Sequence, residues 1–193
     1  KSYFDSVAIS YNKNSNSFPW CLSRTIESYF VKRILSKCNL RNVLELGCGS
    51  GYYTKILLEF GVESLTVVDL SLKMLDQIED TSMTKVQGDF TDYDPDMKFS
   101  TILCIGALEF CEDPIRAIQD KLRNLSSRGT FVFMIPKPSF LSRIYKSYHG
   151  KHGLDIKLFN VKALRETLDL DYRITEVQNV PPFSLVVKIE SNL

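Results

Sequence analysis

From Asn42 onward the chain alternates between short β-branched apolar runs and stretches in which apolar residues return every three or four positions. Runs of the first kind predict strands and those of the second predict helices, so their alternation points to an α/β sheet with helices on both faces. Strands are expected at residues 43–46, 65–69, 83–87, 101–105 and 130–135, with two more at 172–177 and 183–189. The last two are joined through Val180-Pro181-Pro182. Proline cannot continue a strand ladder and this connection is too short for a crossover helix. The final pair is therefore expected to be an antiparallel hairpin on an otherwise parallel, seven-stranded, Rossmann-like sheet.

Ile115, Ile118, Leu122 and Leu125 fall at helical spacing behind Asp113-Pro114, a helix cap followed by proline in the first turn. Asn160 can cap a second helix that carries Val161, Leu164 and Leu168 on one face, and Gly61 stands where a helix over 52–60 should stop. Ahead of the sheet, Ile26, Phe30, Arg33 and Ile34 predict an amphipathic helix over about 19–37. No repeat, low-complexity tract or linker interrupts the chain. It reads as one domain over 1–193, with an N-terminal helical cap over 1–40 and an insertion over 136–159 expected to form a substrate lid.

Charge narrows the choice of partner. With 24 Lys+Arg against 23 Asp+Glu the net charge is +1, whereas proteins that bind by neutralising phosphates carry a basic excess or stripe, so no nucleic-acid partner is expected. The longest apolar runs, such as 131–135, fall far short of the ~18 residues of a membrane span, and no membrane partner is expected either. Cys21, Cys38, Cys48, Cys104 and Cys111 form no C-x-x-C pair and are odd in number. They read as reduced thiols rather than as a disulfide framework or a metal site. A polar segment without a signal-peptide stretch follows Lys1, so the expected location is cytoplasmic. The pattern leaves the oligomeric state open.

Three of the nine glycines lie in Glu45-Leu46-Gly47-Cys48-Gly49-Ser50-Gly51, between a predicted strand and a predicted helix. Glycine lets a ligand approach the backbone, and the helix start beyond it offers unpaired N–H groups and a positive dipole end. Such a turn suits a dinucleotide held by its pyrophosphate or a nucleoside with a charged amino-acid tail. In the dinucleotide spacing G-x-G-x-x-G the third glycine would fall at Tyr52, where a ring would hold helix and strand apart. Glu45 adds an acid that repels a pyrophosphate and tolerates an ammonium or sulfonium. The turn therefore favours a zwitterionic, cation-bearing ligand.

With this turn in place, the sequence resembles the class I S-adenosylmethionine-dependent methyltransferases, of the kind that act on small molecules. Residues 43–54 are similar to the first motif of that family, and four further segments follow in the family's order: Val67-Val68-Asp69-Leu70-Ser71, Val86-Gln87-Gly88-Asp89-Phe90, the stretch 102–110 followed by Asp113-Pro114, and 128–135. The resemblance implies S-adenosylmethionine as cofactor, held by Tyr11, Glu45, Gly47, Cys48, Gly49, Asp69, Leu70, Met74, Asp89, Phe90 and Ile105. In it Asp69 accepts from the ribose hydroxyls, Asp89 from the adenine amino group, and Leu70, Met74 and Ile105 wall the purine. Tyr11 closes over the methionyl part, with a buried aromatic of a docking helix as the other reading. One departure is 168–172, which lacks the glycine the family commonly has at its last helix end.

His149 and His152 are the candidate catalytic bases, because a histidine titrates near neutrality and both fall in the insertion after the fifth strand. A solvated loop is the bland reading of the pair. A metal site needs three or four ligands, and none is expected. Glu109 is a further candidate, with a helix-start acid as its alternative. The expected function is methyl transfer to a small metabolite, with Phe140, Tyr145, Tyr148 and Trp20 as an aromatic lid. The rival readings are a non-catalytic protein that binds the same cofactor and an NAD-dependent oxidoreductase.

Overall fold

The structure is a computed structural model that describes residues 20–151 and 153–193. It opens with helix α1 (Trp20–Leu35) and continues through β1 (Asn42–Leu46), α2 (Tyr52–Glu59), β2 (Ser64–Asp69), the short α3 (Leu72–Leu75), β3 (Thr84–Gln87) and β4 (Phe99–Ile105). A 3-10 turn (Leu108–Phe110) leads into α4 (Pro114–Leu122) and β5 (Leu125–Pro136). Then come α5 (Phe140–Gly150), α6 (Val161–Thr167), β6 (Tyr172–Val180) and β7 (Ser184–Ser191). The seven strands form one sheet in the order β3-β2-β1-β4-β5-β7-β6. The first five pair in parallel, and β7 runs antiparallel between β5 and β6.

Side-chain alternation along the central strands explains the layering. In β5, Phe131, Phe133 and Ile135 pack into one core, while Val132 and Met134 pack into another on the opposite face. β4 divides in the same way, with Ile102 and Cys104 on one side and Leu103 and Ile105 on the other. A strand buried on both faces reads as a continuous apolar run, which is why these segments show no polar alternation. Ala117, Ile118 and Leu122 of α4 close the first core, and Val31, Ile34 and Leu35 of α1 with Ile56 and Leu57 of α2 close the second. β6 alternates between exposed and half-buried positions, as an edge strand does.

The caps fall where the sequence placed them. The Asp113 carboxylate accepts the Arg116 N–H at 3.1 Å at the start of α4, and Asn160 Oδ1 accepts the Lys162 N–H at 2.9 Å at the start of α6. α6 ends at Thr167 without a left-handed glycine; Leu168 is extended there, and the Tyr172 N–H turns back to the Asp169 carbonyl at 3.1 Å. The insertion departs from expectation. Where a loop containing His149 was expected, Ser139 and Ser142 form a reciprocal cap and residues 140–150 are helical, with His149 in the last turn of α5. Among the described residues, no helix is long and apolar enough to cross a membrane.

Candidate functional site

β1, β2 and β4 deliver their carboxyl ends to one edge of the sheet, beside the point where the strand order reverses between β1 and β4. Open α/β sheets bind ligands at such a point. The turn after β1 is tied to β2 by the Gly47 and Cys48 N–H groups, which donate to the Val68 carbonyl at 2.8 and 3.2 Å. Gly47, Gly49 and Gly51 all have positive φ, but each is glycine for a different reason. A Cβ on Gly47 would lie 2.3 Å from the Ala107 Cβ, so this residue lets the turn close against the end of β4. A Cβ on Gly51 would lie 2.8 Å from Ile78 Cγ1. A Cβ on Gly49 would meet nothing within 4 Å. Gly49 faces a cavity of about 990 Å³, and a side chain there would fill it.

Asp69, at the end of β2, is fixed from two directions. Its Oδ2 accepts the Gly49 N–H at 2.8 Å and its Oδ1 accepts the Ser71 N–H at 2.9 Å. The carboxylate thereby joins the glycine turn to the start of α3, and each oxygen keeps lone-pair capacity for a ligand hydroxyl. Asp89 is exposed, and its Oδ1 accepts the Thr91 N–H at 2.9 Å and the Thr91 hydroxyl at 2.7 Å.

Seven of the residues singled out from sequence line this one cavity: Gly47, Gly49, Asp69, Leu70, Met74, Asp89 and Phe90. Others do not. Glu45 is 3% exposed and lies beneath the turn, where its Oε2 accepts the Thr54 hydroxyl at 2.6 Å. Burial, and next the neighbouring Asp69 charge, push its pKa up to about 8 against the pull of Thr54. Burial thus favours the neutral form of Glu45, whose carboxyl faces Thr54 rather than the cavity. The Cys48 thiol is buried, 3.6 Å from the Gly49 carbonyl. Ile105 packs with Leu103, Val132 and Met134 in the core on the α1 and α2 face, which removes it from the cavity wall, because β4 alternation turns it away. Tyr11 and His152 lie outside the described residues.

His149 packs among three rings, with centroids 4.4 Å from Tyr145, 5.4 Å from Tyr148 and 6.2 Å from Phe110. Phe110 lines the cavity and His149 does not. Sequence reasoning missed Phe110 as well as the rim of the cavity, where Asp92, Glu112, Asp113 and Asp120 join Asp89 around Arg116. The cap signature of Asp113 and the place of Asp113-Pro114 in the family resemblance marked that segment, but not its acids as cavity residues. Glu109, in the 3-10 turn beside Phe110, is 5% exposed, and burial raises its pKa to about 8.

Residues 44–133, the span that carries the glycine turn, Asp69 and Asp89, match the family model described as a methyltransferase domain. Over that span the chain is similar to the methyltransferase domain family. The domain superposes on the magnesium protoporphyrin IX methyltransferase of Synechocystis PCC 6803 with bound SAH, with a TM-score of 0.77 and 16% identity over 98% of this chain and 97% of that one. The N-methyltransferase NodS of Bradyrhizobium japonicum WM9, in complex with S-adenosylhomocysteine, gives 0.68 and 17% over 98% and 100%. These two likenesses bear on the fold. In sequence, this chain is 28% identical over 107 residues to a tRNA U34 carboxymethyltransferase of Campylobacter jejuni, covering 52% of this chain and 35% of that protein. The chain thus spans about a third of the length of the curated relatives it matches first.

The site fits the family's methyl donor. The open cradle over Gly49 leaves room for an aminoacyl chain against the backbone, and the fixed Asp69 carboxylate offers acceptors of the kind a ribose diol needs.

Proposed function

We propose that this chain transfers a methyl group from S-adenosylmethionine to a small-molecule metabolite, with the donor held at the carboxyl ends of β1, β2 and β4. The observation that carries this reading is the Gly49 cradle joined to Asp69 by a hydrogen bond of 2.8 Å on the wall of one cavity. In this reading the Gly47 and Gly49 backbone and the start of α2 hold the aminoacyl end. Asp69 accepts from the ribose hydroxyls, Leu70 and Met74 wall the purine, and Asp89 with the Phe90 N–H serves the adenine edge. Bound there, S-adenosylmethionine supplies a methyl carbon activated by a sulfonium. The chain contributes alignment and exclusion of water, with Phe110 closing the side next to α5. On this view 1–193 acts as one unit, in the cytoplasm, and α5 covers the acceptor.

A small acceptor is favoured by the rim. Asp89, Asp92, Glu112, Asp113 and Asp120 line the cavity with a single cation, Arg116, and a polyanionic strand would meet repulsion there. A second reading, methyl transfer to tRNA, is favoured by the likeness to the Campylobacter jejuni relative. Calorimetry with S-adenosylhomocysteine and with NAD tests the cofactor, and binding of the first alone is expected. No response to S-adenosylhomocysteine at millimolar levels sinks the proposal. Release of S-adenosylhomocysteine from a metabolite panel against unmodified tRNA separates the two acceptors, and no release with either leaves a binding protein.

A further inference from the structure

α5 packs on one side only. Ser142 is buried, Tyr145 lies against Phe183 with ring centroids 5.1 Å apart, and His149 packs against Phe110, so these three form the inward face of the helix. Phe140, Ile144 and Tyr148 recur every four residues, which stacks them on another face, and Leu141, three positions before Ile144, joins them. Phe140 is 77% exposed, and Leu141, Ile144 and Tyr148 are each about half exposed. By contrast Tyr29 on α1, Leu72 on α3 and Val177 on β6 are exposed singly, as surface apolar residues normally are. A contiguous stripe of four large apolar side chains marks a surface that is covered in use.

The same segment is basic. Lys137, Arg143, Lys146 and Lys151 fall within residues 137–151, and no Asp or Glu does. Lys146 is paired with Asp155 at 3.0 Å and Lys137 donates to Asn179 Oδ1. Arg143, beside the apolar stripe, and Lys151, after the last turn, are exposed. The occupant of this face must therefore offer apolar volume and negative charge together. A second copy of the chain on a twofold axis would set the Arg143 and Lys151 cations of the two copies against each other. Residues 1–19 carry Lys1 and Lys13 against Asp5 and bring no negative excess. A nucleic acid would answer the cations and leave the stripe in water. The surface of an anionic bilayer supplies both needs, with acyl chains for the stripe and phosphate headgroups for Arg143 and Lys151. Lying in that surface takes an amphipathic helix and not the long apolar run of a span.

We infer that α5 is an interfacial helix that docks the protein on an anionic membrane surface, its apolar stripe among the acyl chains and its inward face against Phe110. Co-sedimentation of the full chain with vesicles of phosphatidylcholine alone, and of equal parts phosphatidylcholine and phosphatidylglycerol, tests this. Affinity is expected to be at least about tenfold higher for the anionic vesicles and to fall as salt is raised. Phe140→Ser combined with Ile144→Ser should lower it by at least about tenfold, as should Arg143→Glu combined with Lys151→Glu. Leu170→Ser, at an exposed apolar residue outside α5, should leave it within about twofold. No binding of wild-type protein to anionic vesicles, or equal binding to both kinds, overturns the inference without recourse to any variant. Anionic binding that survives the Phe140→Ser and Ile144→Ser change in folded protein overturns it equally. So does a wild-type dimer that this change dissociates in sedimentation velocity, which would give the face to a second copy.

Discussion

Gly47 and Gly49 are two residues apart in one turn, share left-handed backbone, and should fail in opposite ways when replaced by alanine. Left-handed φ costs a non-glycine residue about 1–2 kcal/mol, and both variants bear that cost. Only Gly47→Ala adds an overlap. Its Cβ would stand 2.3 Å from the Ala107 Cβ, against the ~3.5–4.0 Å of an ordinary carbon contact. Ala107 cannot swing aside, because its Cβ is bonded directly to the backbone. Overpacking of this kind costs about 1–3 kcal/mol, which brings Gly47→Ala to a total near 2–5 kcal/mol. For a chain of this size each kcal/mol moves the melting temperature by about 2–4 °C, so Gly47→Ala should melt about 2–12 °C below Gly49→Ala. Binding should show the reverse order: Gly49→Ala puts a methyl in the open cradle and should weaken S-adenosylhomocysteine at least tenfold, or about 1.4 kcal/mol. Scanning calorimetry and titration read the two effects separately. Adding Ala107→Gly to Gly47→Ala should recover part of the lost stability. Equal melting temperatures for the single variants, or wild-type affinity in Gly49→Ala, would refute the assignment of packing to one glycine and ligand contact to the other.

Replacing Asp69 by Asn leaves an amide group facing the Gly49 or Ser71 N–H, so S-adenosylhomocysteine affinity should fall about 10- to 150-fold, the range for a charged hydrogen bond; unchanged affinity in a titration would remove Asp69 from the site. Stability should fall as pH rises. Burial raises the pKa of Glu45 and Glu109 to about 8 and of Glu27 to about 7 in the folded chain, against about 4.5 for a solvated glutamate. The folded state thus holds the extra protons in between, its advantage is complete below about 4.5, and it is lost as pH rises through about 8. Melting temperature should drop across that window, less steeply in Glu45→Gln, and a rise instead would contradict the burial of these acids. His149→Ala should leave cofactor affinity unchanged and lower turnover by less than about tenfold, because Phe110 lines the cavity and the imidazole does not; a loss of about a hundredfold or more would make His149 the base after all.

Local patterns were enough for the sheet and its punctuation. The strand-and-helix alternation, the Asp113-Pro114 and Asn160 caps and the Pro181-Pro182 connection each act within a few residues, so their consequences are written in consecutive positions. The same holds for the seven cavity residues from Gly47 to Phe90, all of which lie at the carboxyl ends of β1, β2 and β3 or in the loops and the short α3 that follow them. A loop at a strand's carboxyl end reaches the ligand edge whatever the rest of the chain does.

Direction of a side chain was another matter. Glu45 and Ile105 stand in the strands that lead to the site, yet burial under the turn takes the first from the ligand and the strand's two-residue period takes the second. His149 read as a residue in a loop, but the Ser139 and Ser142 cap winds its segment into a helix that packs it among Tyr145, Tyr148 and Phe110. The acidic rim joins residues from the loop after β3 with others before and within α4. The sequence by itself determined the sheet, the turn and the acids that follow the strands, because backbone preference and hydrophobic period are local. Which acids line the cavity together and which are buried beneath it was decided only by packing, since desolvation and Coulomb energy depend on distance in space and not along the chain.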